Sequence, residues 1–176
     1  MDKRIGERAI DGLSALGCRG IVWSGGGEPT LHQLLPYFMR RAALKDIEQG
    51  LYTNGTMFDP AYCANVLPLL RWIRFSMNTG LSREYSRLHG LSSSHIMFPT
   101  VLRNLQNTVD FKRDADLNVT ISVGAVVGKH TNMDGLLALG NMAKDAGADF
   151  VQFKADNRLS VADARDVFAR MMDALK

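Results

Sequence analysis

Cysteine is nearly missing from this chain: two occur in 176 residues, Cys18 and Cys63. That excludes a disulfide framework and supplies no pair at metal-ligand spacing. No apolar run approaches the roughly 20 residues a membrane helix needs. The N-terminus opens on charge (Asp2, Lys3, Arg4, Glu7, Arg8) with no apolar signal core behind it. The expected location is therefore cytoplasmic, with no membrane partner. A basic stripe is lacking too. The net charge is +3 and the pI near 9.0, but Lys and Arg stand singly or in pairs (Arg40-Arg41, Lys112-Arg113) among acids. Without interleaved aromatics, nucleic acid is not an expected partner. Linkers, repeats and low-complexity stretches are also absent, and only His89–His95 (HGLSSSH) reads as an exposed, mobile loop.

What is present is a globular composition, 46% hydrophobic and 22% charged, of a length suited to one domain over residues 1–176. Short β-rich runs recur at Gly20–Ser24, Gln49–Thr53, Ile73–Met77, Val119–Val127 and Asp149–Lys154. Between them the apolar residues follow a 3.6-residue period. Ile5, Ala9, Leu13 and Leu16 share one helical face, and Leu31, Leu34, Leu35, Phe38 and Ala42 another. Further stripes are Phe98, Val101, Leu102, Leu105 and Val109, then Met133, Leu136, Leu137 and Ala143, with Gly147 as a stop. Asp59-Pro60 has the form of a helix start, and Ser160 with Asp163 that of a capping box before Val161, Ala164, Phe168, Met171 and Leu175. Such alternation implies βα units and a parallel sheet, because parallel strands need a crossover. Periodicity alone leaves a partial barrel and an open doubly wound sheet equally possible.

One segment carries chemistry. Ser24–Pro29 (SGGGEP) directly follows the first strand run. Three glycines leave the main chain bare enough for close approach by a ligand. Glu28 then stands at a strand's C-terminal end, where α/β sheets and barrels place their ligands. A carboxylate there suits a cationic amine and not a phosphate, and the segment matches neither the phosphate loop nor the dinucleotide fingerprint. A tight turn with a solvated Glu is the plainer alternative.

A strand running into GGGEP, followed by a strand ending in Thr53-Asn54-Gly55, is similar to the radical S-adenosylmethionine (SAM) superfamily. Ile73–Asn78 (IRFSMN) with Arg83–Gly90 (REYSRLHG) resembles that family's fourth barrel strand and following helix, and Gly147–Lys154 (GADFVQFK) its sixth strand. The resemblance implies about five strands of a six-stranded, TIM-like (βα)n partial barrel. It implies SAM as the small-molecule cofactor, with Gly26, Gly27 and Glu28 holding the methionine ammonium. Ser76 and Asn78, on one face of their strand, would contact the ribose or carboxylate, although relatives often carry Asp where Asn78 stands. Ser122, Gly124 and Val126 would line the adenine, or simply fill a buried strand. Thr53 and Asn54 close a strand, as ligand contacts or as turn residues; Gln152 and Lys154 suggest a lined cavity or a strand end in water.

The chain departs from the family in one large respect. Radical SAM enzymes hold a [4Fe–4S] cluster on three thiolates spaced C-x-x-x-C-x-x-C, and use it to cleave SAM reductively to a 5′-deoxyadenosyl radical that abstracts a substrate hydrogen. This chain has one thiol too few; Cys18 and Cys63 read as buried apolar thiols, and His32, His89, His95 and His130 lack ligand spacing. No metal-ligating or catalytic residue is assigned. The first strand and cluster loop are expected to be missing, leaving an open sheet edge able to self-associate. The expectation is a SAM-binding core fragment inactive by itself. The alternatives are a degenerate SAM-binding or scaffold domain, and an unrelated enzyme using Glu28 as general base.

Overall fold

The structure, a computed structural model, describes residues 2–90 and 94–174. Five strands form one open parallel sheet in chain order: β1 Gly20–Trp23, β2 Glu48–Thr53, β3 Trp72–Ser76, β4 Thr120–Val127 and β5 Phe150–Ala155. The expected strands are met within one residue at each end. The helices are α1 Lys3–Ala15, α2 Leu35–Ala43, α3 Pro60–Val66, α4 Ser82–Leu88, α5 Ser94–Asp114, α6 Met133–Ala146 and α7 Val161–Ala174. No described helix is long and apolar enough to cross a membrane.

Local signals place the helix ends. Asp2 and Asp59 each accept a backbone N–H at a helix start, from Ile5 at 3.0 Å and Tyr62 at 2.7 Å. Ser160 accepts from Asp163 N at 3.1 Å and donates to its carboxylate at 2.8 Å. Gly147 closes α6 in the left-handed conformation, φ 78°, where a residue with a Cβ is strained. The expected His89–His95 loop is shorter than its composition suggested, because α5 already begins at Ser94; residues 91–93, like Leu175, lie outside the described residues.

The sheet is covered on one face. Leu51, Ile73, Phe75, Ile121, Val123, Ala125 and Val127 pack against Met39, Val66, Val101, Leu105, Leu136 and Leu139 from the helices. Each large side chain fully buried there contributes roughly 1.5–3 kcal/mol. The alternate strand residues point the other way, and this face is open: Val22, Val126 and Phe150 are each about half exposed. Such one-sided covering gives the partial barrel its vacant concave side.

Two apolar stripes behave unlike their periodicity. α1 buries Gly6 and Ile10 against Phe38, leaving Ile5, Ala9, Leu13 and Leu16 exposed beside the edge strand β1. Periodicity identifies an apolar face but cannot tell whether anything covers it. Leu31 is likewise exposed, because Pro29–Leu31 is a short 3-10 turn and α2 starts only at Leu35.

Candidate functional site

The C-terminal ends of β1, β2 and β3 enclose a cleft of about 280 Å³, lined by Gly25, Gly27, Glu28, Tyr52, Asn54 and Ser76 among others. Gly25, Gly26 and Gly27 are exposed, make no hydrogen bond with another described residue, and have open space where a Cβ would stand. The main chain here is bare. Gly26 shares this exposure but does not line the cleft.

Glu28 is held rather than free. Its Oε1 accepts from Thr30 N (3.1 Å), Thr30 Oγ1 (2.6 Å) and Thr53 Oγ1 (2.7 Å), and its Oε2 accepts from Asn54 N (2.6 Å). Thr53 Oγ1 in turn accepts from Gly55 N at 3.0 Å. The carboxylate thus ties the glycine turn to the tip of β2, which is the contribution of the Thr-Asn-Gly segment. Burial, reinforced by the Glu28 charge, pushes the Tyr62 phenol up to about 12 and raises that of Tyr85. Both therefore stay neutral behind the negative site.

A second cavity of about 240 Å³ continues along the concave face and shares Tyr52 and Ser76 with the first. Asn78, Gly124 and Val126 line it, with Arg74, Gln152 and Lys154. The register explains this convergence: Tyr52 pairs with Arg74, Arg74 with Ser122, Ser76 with Gly124, and Gly124 with Gln152. Asn78 adopts a left-handed backbone, φ 66°, and its Oδ1 accepts from Val126 N at 3.0 Å, joining the ends of β3 and β4. Ser122 stands apart from the other expected residues. It is buried, donates to Ile73 O at 3.2 Å, and lines neither cavity.

Sequence reasoning passed over Arg74 and Tyr52. Arg74 Nη1 donates to Tyr52 Oη at 3.1 Å, and its guanidinium lies 4.9 Å from the Tyr52 ring centroid and 5.8 Å from that of Trp72. The signal was available, since Arg74 interrupts the apolar residues of its strand in phase with Ser76. Gly124 lets the Arg74 chain lie flat, for an added Cβ would meet its Cδ at 2.8 Å.

The cysteines do not converge on this site. Cys18 precedes β1, at the end of the strand opposite the glycine turn, with Sγ 3.2 Å from Gly20 O. Cys63 is buried in α3, and burial pushes its thiol up to about 11. Among the described residues no group of three or more His, Cys, Asp or Glu is placed to hold a metal ion.

No family model matches the sequence, and no curated protein matches it. Solved structures do match in fold. Native anSMEcpe with bound AdoMet aligns with a TM-score of 0.71 at 18% identity, over 98% of this chain and 51% of that one. TYW1 with a lysine-pyruvate adduct aligns at 0.66 and 17%, over 98% and 59%. A domain of pyruvate-formate lyase-activating enzyme from Bacteroides vulgatus ATCC 8482 aligns at 0.65 and 12%, over 88% and 94%. The chain spans between about half and three-fifths of the length of the first two. All three are radical SAM enzymes, and this chain has the fold of their core domain.

Proposed function

We propose that the chain is a radical SAM core domain that binds S-adenosylmethionine across the two joined cavities and does not itself carry the iron–sulfur cluster. The observation that carries the reading is the bare Gly25–Gly27 main chain beside a fixed carboxylate at a strand tip. Unpaired backbone carbonyls and the Glu28 charge together suit an ammonium group. Because Glu28 already accepts four hydrogen bonds, its first task is to fix the turn, and its negative field is the second. Ser76 lies where the two cavities meet, suited to a polar group midway along the cofactor, and Val126, beside the Arg74 stem laid over Gly124, leaves a shallow wall for a flat ring. When bound, SAM supplies a cleavable sulfonium. The cluster is different: two distant thiols, one buried and protonated, do not fit it, and no step is derived through it.

Titration of the full chain with SAM by calorimetry, for wild type and Gly27→Ala, tests this reading. Gly27 has neither a left-handed backbone nor a neighbour near its Cβ position, so the variant should melt as wild type does. A methyl group on the approach path should weaken SAM about tenfold, the cost of roughly 1.4 kcal/mol. Absence of binding to wild type, or equal binding to both, overturns the proposal. After anaerobic reconstitution with iron and sulfide, the chain should release no 5′-deoxyadenosine above background; robust release defeats the second half of the reading.

A further inference from the structure

The second cavity has a charge that nothing inside the protein answers. Arg74 and Lys154 both line it, no carboxylate does, and neither forms an ion pair among the described residues. Several cations elsewhere are paired: Arg41 and Lys45 meet Asp11, Arg71 meets Glu48, Lys112 meets Asp149, and Arg158 meets Asp156. Arg74 is the more telling of the two. It is half-buried, and its Nε is fully buried with no hydrogen-bond partner. An orphaned buried N–H is costly, and native folds seldom leave one without a reason. The aromatic faces of Tyr52 and Trp72 steady the guanidinium through its π contacts, and Tyr52 Oη occupies Nη1. That arrangement fixes the orientation of the guanidinium plane with Nε sealed beneath it, and leaves Nη2, neither buried nor hydrogen-bonded among the described residues, as the free donor. A guanidinium presents paired N–H groups to two oxygens at once.

We propose that this wall binds the oxyanion, carboxylate or phosphate, of a small-molecule substrate, with Arg74 as the directional contact and Lys154 as a second, solvent-side charge. The proposal rests on the cofactor reading above: SAM takes the first cavity and the Ser76–Val126 side of the second, and the oxyanion takes the remaining Arg74–Lys154 wall of that second cavity. The two ends of the concave face are then complementary in sign, Glu28 and bare carbonyls at β1–β2 against cations at β3–β5. An anionic group is drawn to the far end and kept away from the ammonium site.

The test is an NMR titration of the full ¹⁵N-labelled chain with succinate and, separately, with inorganic phosphate, each with and without saturating SAM. Shifts should centre on the Arg74 guanidinium signals and the amides of residues 124 and 152–154. Arg74→Lys keeps the charge and loses the fork, and should weaken binding about tenfold. Lys154→Gln, on an exposed strand position with no folding role, should weaken it about two- to threefold, and added salt should do likewise. Preference for succinate identifies a carboxylate substrate and preference for phosphate a phosphorylated one; either supports the site. If neither anion moves these signals, or if both variants bind as wild type does, the proposal fails. It also fails if Arg74→Lys weakens SAM as much as the probes, since the anion served is then the cofactor's own carboxylate. Anion binding that persists where SAM does not bind overturns the cofactor reading and leaves the oxyanion site standing.

Discussion

Replacing Glu28 with Gln isolates what the carboxylate does for the fold of the site. The side chain keeps its size, but one acceptor becomes an NH₂ donor. If the amide oxygen takes the place of Oε1, it can still accept from Thr30 N, Thr30 Oγ1 and Thr53 Oγ1. The nitrogen then faces Asn54 N–H, where Oε2 accepts at 2.6 Å, and donor meets donor. Hydrogen bonds to a charged group are worth about 1.5–3 kcal/mol, so loss of one, with weakening of the rest, sets the upper scale. Water reaches this half-exposed site and returns part of that. The expected cost is about 2 kcal/mol, equivalent to a Tm lower by roughly 4–8 °C at this chain length. Urea unfolding followed by circular dichroism measures it, and a cycle with Thr53→Val should show coupling of about 1 kcal/mol, as groups in one network do. A cost below about 0.5 kcal/mol, or additive single effects, refutes the claim that Glu28 clamps the glycine turn to β2.

Two other outcomes follow from the core. Gln49 is buried on the helix-covered face, where its Oε1 accepts from Trp23 Nε1 at 2.9 Å and its Nε2 donates to Met39 O and Leu69 O at 3.0 and 3.1 Å. Gln49→Leu strands all three partners and should cost about 3 kcal/mol; a loss under about 1 kcal/mol in urea unfolding contradicts this account. Cys63 binds its proton more tightly folded, at about 11, than the ordinary thiol near 9.0. Its contribution to stability is therefore complete below pH 9 and is lost as pH rises towards 11. At pH 8 a thiol reagent should modify Cys18 in the native chain and Cys63 only after urea is added, so rapid native reaction of both thiols disproves the burial argument.

The strands and their parallel direction were legible because a crossover helix follows each run, their order came only with the family resemblance, and the caps at Asp59, Ser160 and Gly147 fixed where several helices begin or stop. What periodicity could not convey was whether an apolar face finds a partner, as the exposed Ile5, Leu13 and Leu16 show. At the site, the glycine turn was legible because bare backbone has a sequence signature. The role of Glu28 was legible only in part, since its four donors come from two segments and only the fold brings Asn54 N and Thr53 Oγ1 to it. Ser122, Gly124 and Val126 share a face by alternation, but alternation says nothing of depth along the strand. Ser122 is sealed against β3 while Val126 is half exposed.

The concave face follows from what each strand places on its unpacked side. A closed interior would be filled by branched apolar residues in layers. Here that side carries Tyr52, Arg74, Ser76, Gln152 and Lys154, with glycine at 50 and 124. The glycines are spaces for neighbours: Cβ atoms there would strike the Trp72 ring at 2.0 Å and the Arg74 chain at 2.8 Å. The two large side chains lie down over the sheet and leave volume above them. Substituting alanine at 124 should lift Arg74 from its bed and separate its guanidinium from Tyr52. The polar lining is thus a consequence of small residues on β2 and β4 as much as of the charged ones on β3 and β5. An oxyanion site on this wall depends on both.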